Sequence, residues 1–221
     1  MSVFLGIDTS NYTTSAALFD SEANTIIQSK KLLPVREGEL GLRQSDAVFA
    51  HVKQLGDMVW NVFAECSGEI TAVGVSTRPR DIDGSYMPCF LVGEMAANCL
   101  GAALKAPVLP FAHQQGHVAA ALYSAGRLDM LKERFIAFHL SGGTTEALLV
   151  EPSEERIIRC KKIGGSMDLK AGQAVDRVGV MLGLPFPAGK YLEELALKSE
   201  RKFKIKPVMK GCECCLSGVE N

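Results

Sequence analysis

The sequence predicts an α/β protein built in two similar halves, and three observations carry that expectation. Short apolar runs of strand length alternate with longer stretches of helical periodicity. Each half opens on a strand, a polar turn and a second strand, and a charged stretch, Arg127 to Arg134, separates the two. The composition agrees: 47% of the 221 residues are hydrophobic and 22% are charged, enough for a core and for a solvated surface. The 24 Lys and Arg oppose 25 Asp and Glu, so the net charge of -1 excludes a global basic field, and any RNA contact needs a local patch. The first residues lack the charged start and long apolar run of a leader, and no apolar stretch nears the roughly 20 residues a membrane helix needs. A cytoplasmic protein with no membrane partner is the expectation. Seven cysteines, at 66, 89, 99, 160, 212, 214 and 215, make an odd and scattered set, read as reduced thiols.

Residues 3–8 and 14–19 read as two strands joined by the hydroxyl-rich turn Thr9-Ser10-Asn11, and 25–33 as a third. In 42–64 the residues Val48, Val52, Leu55, Val59 and Val62 recur every three or four positions, the stripe of a helix with one buried face. A strand at 71–76 precedes a loop over 77–88 that carries Arg78-Pro-Arg80, Asp83-Gly84 and Pro88. From 90 to 104 the residues are small and apolar, which predicts a helix packed closely on a neighbour. A short strand at 108–109 and a helix over 112–125 complete the first half, 1–132.

The second half, 133–221, repeats the opening: strand 135–140, turn Ser141-Gly-Gly-Thr-Thr145, strand 145–150, then a strand at 156–163. Unlike a Rossmann unit, the loop leads to a strand and not straight into a helix. Asp168 is a plausible N-cap for a helix over 169–182 with apolar face Ala171, Ala174, Val175, Val178, Met181 and Leu182, ended by Gly183. The turn Pro185 to Gly189 leads to a helix at 190–199, then to the basic run Lys198 to Lys206, read as a solvated face.

Four groups of residues carry candidate chemistry. His113 and His117 stand four apart on one helix face, within reach of one metal ion; the position after His113 is Gln114, so the general base of a zinc protease is missing. The two turns, Thr9 to Thr13 and Ser141 to Thr145, offer hydroxyls and backbone N–H groups to phosphate oxygens, with tight-turn chemistry as the alternative. Asp8 ends an apolar strand, where a carboxylate is costly unless a metal or a hydrogen-bond network needs it. Asp176 and Gly189 could face a ribose, Asp176 otherwise pairing with Arg177. His51, His139 and the cluster Cys212, Cys214, Cys215 are assigned no site.

Taken in order, Gly6-Ile-Asp-Thr-Ser10, His113-Gln-Gln-Gly-His117, Ser141-Gly-Gly143, Ala171-Gly-Gln-Ala-Val-Asp176 and Leu182-Gly-Leu-Pro-Phe-Pro187 resemble the motifs of the tRNA threonylcarbamoyladenosine synthase family, formerly called O-sialoglycoprotein endopeptidases. The resemblance runs from residue 6 to about 197. It implies an actin/sugar-kinase/Hsp70-like fold of two lobes with a metal, iron or zinc, at the cleft between them. The implied reaction is transfer of a threonylcarbamoyl group from threonylcarbamoyl-AMP to an adenosine beside the tRNA anticodon, alongside other proteins of the modification complex. Position by position, it implies His113 and His117 as metal ligands and Leu140, Ser141, Gly142, Gly143 and Thr144 as the loop on the adenylate. Asp176 and Gly189 become nucleotide contacts, with Asp8, Thr9 and Ser10 as further binding residues, and no covalent nucleophile is required.

Three departures from the family pattern stand out. Thr144 replaces a histidine, Ser76 to Ser85 replaces a Gly-Pro-Gly-rich turn, and Leu216-Ser-Gly218 resembles a turn in the middle of the family's second lobe, so that lobe is expected to be incomplete. Two other readings are a sugar-kinase-like phosphotransferase, which has no need of His113 and His117, and a non-catalytic or altered-substrate paralogue that binds metal and nucleotide.

Overall fold

The computed structural model describes residues 2–10, 12–34, 42–201, 206 and 208–220. Asn11 of the first turn and 202–205 of the basic run lie outside the described residues. The chain forms two compact units, Met1–Leu128 and Asp129–Asn221. No helix among the described residues is long and apolar enough to cross a membrane.

The first unit is a five-stranded sheet of order β3-β2-β1-β4-β5. Strands β1 (Ser2–Ser10), β2 (Thr13–Asp20) and β3 (Thr25–Leu32) form an antiparallel meander. β4 (Glu69–Arg78) then pairs parallel with β1, and β5 (Val108–Ala112) parallel with β4. Parallel neighbours need crossover connections, supplied by α1 (Gln44–Ala64) and α2 (Phe90–Leu104). Strict alternation of buried and half-buried residues along β1 marks a sheet whose one face is core, with Val3, Leu5 and Ile7 at most 5% exposed. The α/β class expected from the sequence is what this topology shows.

Helix α2 packs as closely as its small residues predict. A Cβ on Gly93 would stand 2.9 Å from the Thr9 hydroxyl, so glycine is what lets the helix reach β1. Helix α1 buries the face the sequence predicts, with one exception. Its buried residues are Ala47, Ala50, His51, Leu55, Met58 and Val62, whereas Val52 is 59% exposed. Leu55 and Val62 of the stripe are buried and Val48 and Val59 pack half-buried against the core, while Ala47 and Ala50, which carry little weight in a hydrophobicity count, pack with Leu33, Cys89 and Phe90. His51 is fully buried, with Nδ1 2.8 Å from the Thr14 hydroxyl, which itself donates to Gln54 Oε1 at 3.0 Å. Burial pushes the His51 imidazole below its ordinary pKa.

The second unit holds a five-stranded sheet of order β6-β7-β8-β10-β9. Strands β6 (Phe135–Leu140), β7 (Thr145–Ser153) and β8 (Ile157–Ser166) repeat the antiparallel opening, followed by α4 (Ala171–Met181) and α5 (Gly189–Leu197); α3 (His113–Ser124) belongs to the first unit. The pair β9 (Val208–Lys210) and β10 (Glu213–Cys215) was not anticipated, since three-residue strands give too short a pattern to read. Cys214 and Cys215 are sheet residues with free thiols.

Two expectations for this unit are corrected. Only Ala174 and Gly179 of α4 are buried, while Val175, Met181 and Leu182 are 40%, 67% and 62% exposed. Asp168 does not cap α4, whose N-cap is Lys170. Its carboxylate accepts hydrogen bonds from the Leu216 and Ser217 amides, at 2.8 and 3.2 Å, and from the Ser217 hydroxyl at 2.6 Å. A carboxylate that finds three donors 48 and 49 residues downstream gains more than from a single helix-end amide.

Candidate functional site

In the first unit the site forms where β1 ends beside the start of α3. Helix α3 begins directly after β5 because Gln115 Oε1 accepts the Ala112 N–H at 2.6 Å, and the Gln114 N–H is satisfied by the Pro79 carbonyl at 3.1 Å. Those two bonds place His113 at the helix mouth, its ring 6.1 Å from the buried Phe90. One turn later His117 brings its ring centroid to 4.3 Å from that of His113, edge to face.

Asp8 lies opposite. Its Oδ2 accepts from His113 Nδ1 at 2.7 Å, and its Oδ1 accepts the Ser10 N–H at 2.8 Å. The cost of a carboxylate at a strand end is therefore met by a network, one of the two explanations the sequence allows. Burial works against the charge of Asp8. The hydrogen bond and charge of His113, with hydrogen bonds from Ser76 and Ser10, outweigh it and hold the carboxyl at about 2, below its ordinary 3.8.

Thr9 is placed differently from expectation. It is fully buried, its hydroxyl donating to the Cys89 carbonyl at 2.9 Å and accepting from the Gly93 N–H at 3.1 Å. The hydroxyl braces α2 on the sheet and is spent there. Ser10 pairs with Thr13 across a tight hairpin, so the strands run further into the polar segment than the apolar residues suggested. Beside the hairpin, Arg78 pairs with Asp81 at 3.1 Å, ordering the start of the loop that follows β4.

His113 and His117 fit a metal in donor chemistry, two imidazoles on one helix face. His113 Nε2 has no hydrogen-bond partner among the described residues. No group of three or more His, Cys, Asp or Glu side chains among the described residues is arranged to hold a metal ion. These two residues would thus supply two nitrogen donors, with the other positions open.

In the second unit Leu140 pairs with Thr145, leaving 141–144 as the loop between β6 and β7. Ser141 Oγ accepts the N–H groups of Gly143, at 3.2 Å, and Thr144, at 2.9 Å. The start of α4 is bound to the same loop: the Ala171 N–H donates to Thr145 Oγ1 at 2.7 Å and the Gly172 N–H to the Ser141 carbonyl at 3.1 Å. Gly172 is required by this contact, since a Cβ there would meet Gly142 N at 2.6 Å. Several amides that a phosphate would use are therefore committed within the protein, which narrows the anion-binding capacity that composition suggested. What stays open is the outer face of the loop, where a Cβ on Gly142 or Gly143 would meet nothing within 4 Å.

Asp176 on α4 is half-buried and accepts the Ala188 N–H through Oδ1 at 2.8 Å, fixing the turn that carries Gly189. The pairing of Asp176 with the start of α5 is not legible in local spacing, because the rest of α4 and the turn after it lie between the two.

A model of the family TsaD, tRNA N6-adenosine threonylcarbamoyltransferase, matches residues 24–221. The chain is 32% identical over 231 residues to the tRNA N6-adenosine threonylcarbamoyltransferase of Granulibacter bethesdensis, covering 98% of this chain and 60% of that protein. It is 31% identical over 196 residues to the enzyme of the same name from Neisseria meningitidis serogroup A, covering 87% and 52%. The chain spans about half the length of the curated relatives it matches. Among solved structures, YeaZ from Pseudomonas aeruginosa aligns with a TM-score of 0.46 at 18% identity, over 78% of this chain and 68% of that one.

Proposed function

The chain belongs to the tRNA N6-adenosine threonylcarbamoyltransferase family, and from that premise we propose that it takes part in transferring a threonylcarbamoyl group from threonylcarbamoyl-AMP to an adenosine of tRNA. The observation that carries the reading is the family match over 24–221, which includes both histidines, the Ser141 loop and Asp176. In the first unit, His113 and His117 would hold one divalent ion, iron or zinc. When bound, such an ion polarises a carbonyl and offsets negative charge developing on an oxygen.

The protein's own side chains divide the remaining work. Asp8 keeps the proton of His113 on Nδ1. The open face of Ser141 to Thr144 receives the acyl-adenylate, with the bare backbone at Gly142 and Gly143 allowing close approach. Asp176 has a second carboxylate oxygen for a ribose hydroxyl while its first holds Ala188, and Gly189 lets the nucleotide lie against the backbone. The adenosine amine attacks the threonylcarbamoyl carbonyl, the amine gives up a proton and AMP departs, so that no acyl-enzyme is needed. tRNA and other proteins of the modification machinery are the proposed partners. Incubating the protein with tRNA, threonylcarbamoyl-AMP and the partner proteins, then measuring modified adenosine by mass spectrometry, tests the reading; transfer equal with and without this chain would remove it.

A further inference from the structure

We propose that Asp8 is a positioning residue for the metal site: it fixes His113 in the Nδ1–H tautomer and so presents Nε2 as the donor. The inference rests on the metal reading above and adds the residue that makes His113 competent. Three observations support it. Asp8 Oδ2 lies 2.7 Å from His113 Nδ1, and an ionised carboxylate can only accept, so the shared proton belongs to Nδ1. In a neutral imidazole that leaves Nε2 without a proton and with its lone pair outward. Nε2 has no other hydrogen-bond partner among the described residues.

The carboxylate is itself fixed before any ligand arrives. Its Oδ1 is held by the Ser10 amide at 2.8 Å, and Ser10 is locked in register against Thr13. The other end of the pair is equally set, with His113 at the first position of α3, anchored by the Gln115 and Gln114 bonds on either side. Strand β1 and helix α3, 105 residues apart in sequence, thus meet through one hydrogen bond whose direction decides which nitrogen faces out. A ligand histidine that donates its other N–H to a carboxylate is oriented and made more basic, and losing that carboxylate typically weakens metal binding about 10–100-fold.

The test uses the whole chain labelled with ¹⁵N-histidine. Long-range ¹H–¹⁵N correlation spectra of the metal-free protein report the tautomer of each imidazole, and zinc titration by calorimetry reports affinity. The expected result is Nδ1–H at His113 in the unsubstituted protein, loss of that preference in Asp8→Asn, and zinc affinity reduced about 10–100-fold in the same variant. An Nε2–H tautomer at His113 in the unsubstituted protein overturns the proposal without recourse to any variant. Unchanged zinc affinity in Asp8→Asn, with loss of binding in His113→Ala, also overturns it while leaving the metal reading intact. Zinc affinity equal in the unsubstituted protein and in a His113→Ala, His117→Ala double variant brings down the metal reading and the proposal with it.

Discussion

The two units open on the same strand–turn–strand device and use it in opposite ways. In the first, the strands beside the turn are braced from beneath by the fully buried Thr9, Thr14 and His51, and the Ser10 amide holds the Asp8 carboxylate that meets His113. In the second, the loop satisfies itself through Ser141 Oγ and leans on the start of α4, with Leu140 and Phe138 beside it 59% and 72% exposed. The first strand end is a platform for a side chain, and the second loop presents backbone. A repeated topology therefore fixes where a site lies and says little about which chemical groups it offers, which depends on what is buried under the turn.

The sharpest break in that comparison is in stability. Phe90, 2% exposed beneath the His113 ring, should cost about 3–5 kcal/mol when replaced by alanine, the usual penalty for a deleted core aromatic. Phe138→Ala should stay within about 0.5 kcal/mol, because the ring is already in water. Urea unfolding of both variants measures the difference. Equal losses would mean that the β6 face is covered in solution and that the contrast between the units is false.

A smaller effect separates two glycines of one loop contact. Gly172→Ala forces a Cβ against the Gly142 backbone and should destabilise the second unit by about 1–3 kcal/mol, the range for overpacking, while loosening the 141–144 loop. Gly142→Ala meets open space and should leave the unfolding midpoint nearly unchanged. If Gly142→Ala nonetheless weakens binding of an adenine nucleotide, measured by calorimetry, the open face is where the ligand lies. If it alters stability and not binding, the loop is only a turn.

Much of this was legible in the sequence, and the parts that were not share a cause. The strands, the helix at 90–104 and the paired openings follow from local pattern, which needs no knowledge of partners. The strand-end Asp8 was legible as a cost needing an explanation, yet its partner was not, because nothing in local spacing joins residue 8 to residue 113. Asp168 was misread for the same reason: an acid before a helix suggests a cap, and only the folded chain brings Leu216 and Ser217 within reach. Thr9 looks like a turn hydroxyl in the sequence because polarity suggests exposure, whereas the folded chain buries it fully. On α4 the apolar stripe showed which side could be buried, whereas burial itself depends on what lies opposite.

The smallest effect concerns two carboxylates, Asp8 and Asp168, one in each unit, that are held below their usual range. For Asp168 the Ser217 hydroxyl is the largest cause, followed by the Leu216 amide, and the group stands in water. For Asp8, burial opposes the charge and His113 overcomes it. A carboxyl lowered on folding stabilises the protein above its unfolded pKa, and that contribution drains away as protons bind the unfolded chain first. For Asp8 the window runs from about 3.8 down to about 2, so the stability difference between the protein and Asp8→Asn should be constant above pH 5, shrink across that window and level off below it. Added salt should change this profile little, because the Asp8–His113 pair is largely shielded at 24% and 28% exposure. Asp168→Asn should instead show its main effect locally, as faster hydrogen exchange at the Leu216 and Ser217 amides with little change in global unfolding. Unfolding curves at pH 2 to 6 in low and high salt, with exchange rates for the two amides, check both expectations. An Asp8 profile that collapses in salt would place the pair in water and remove the distinction between a platform and a loop.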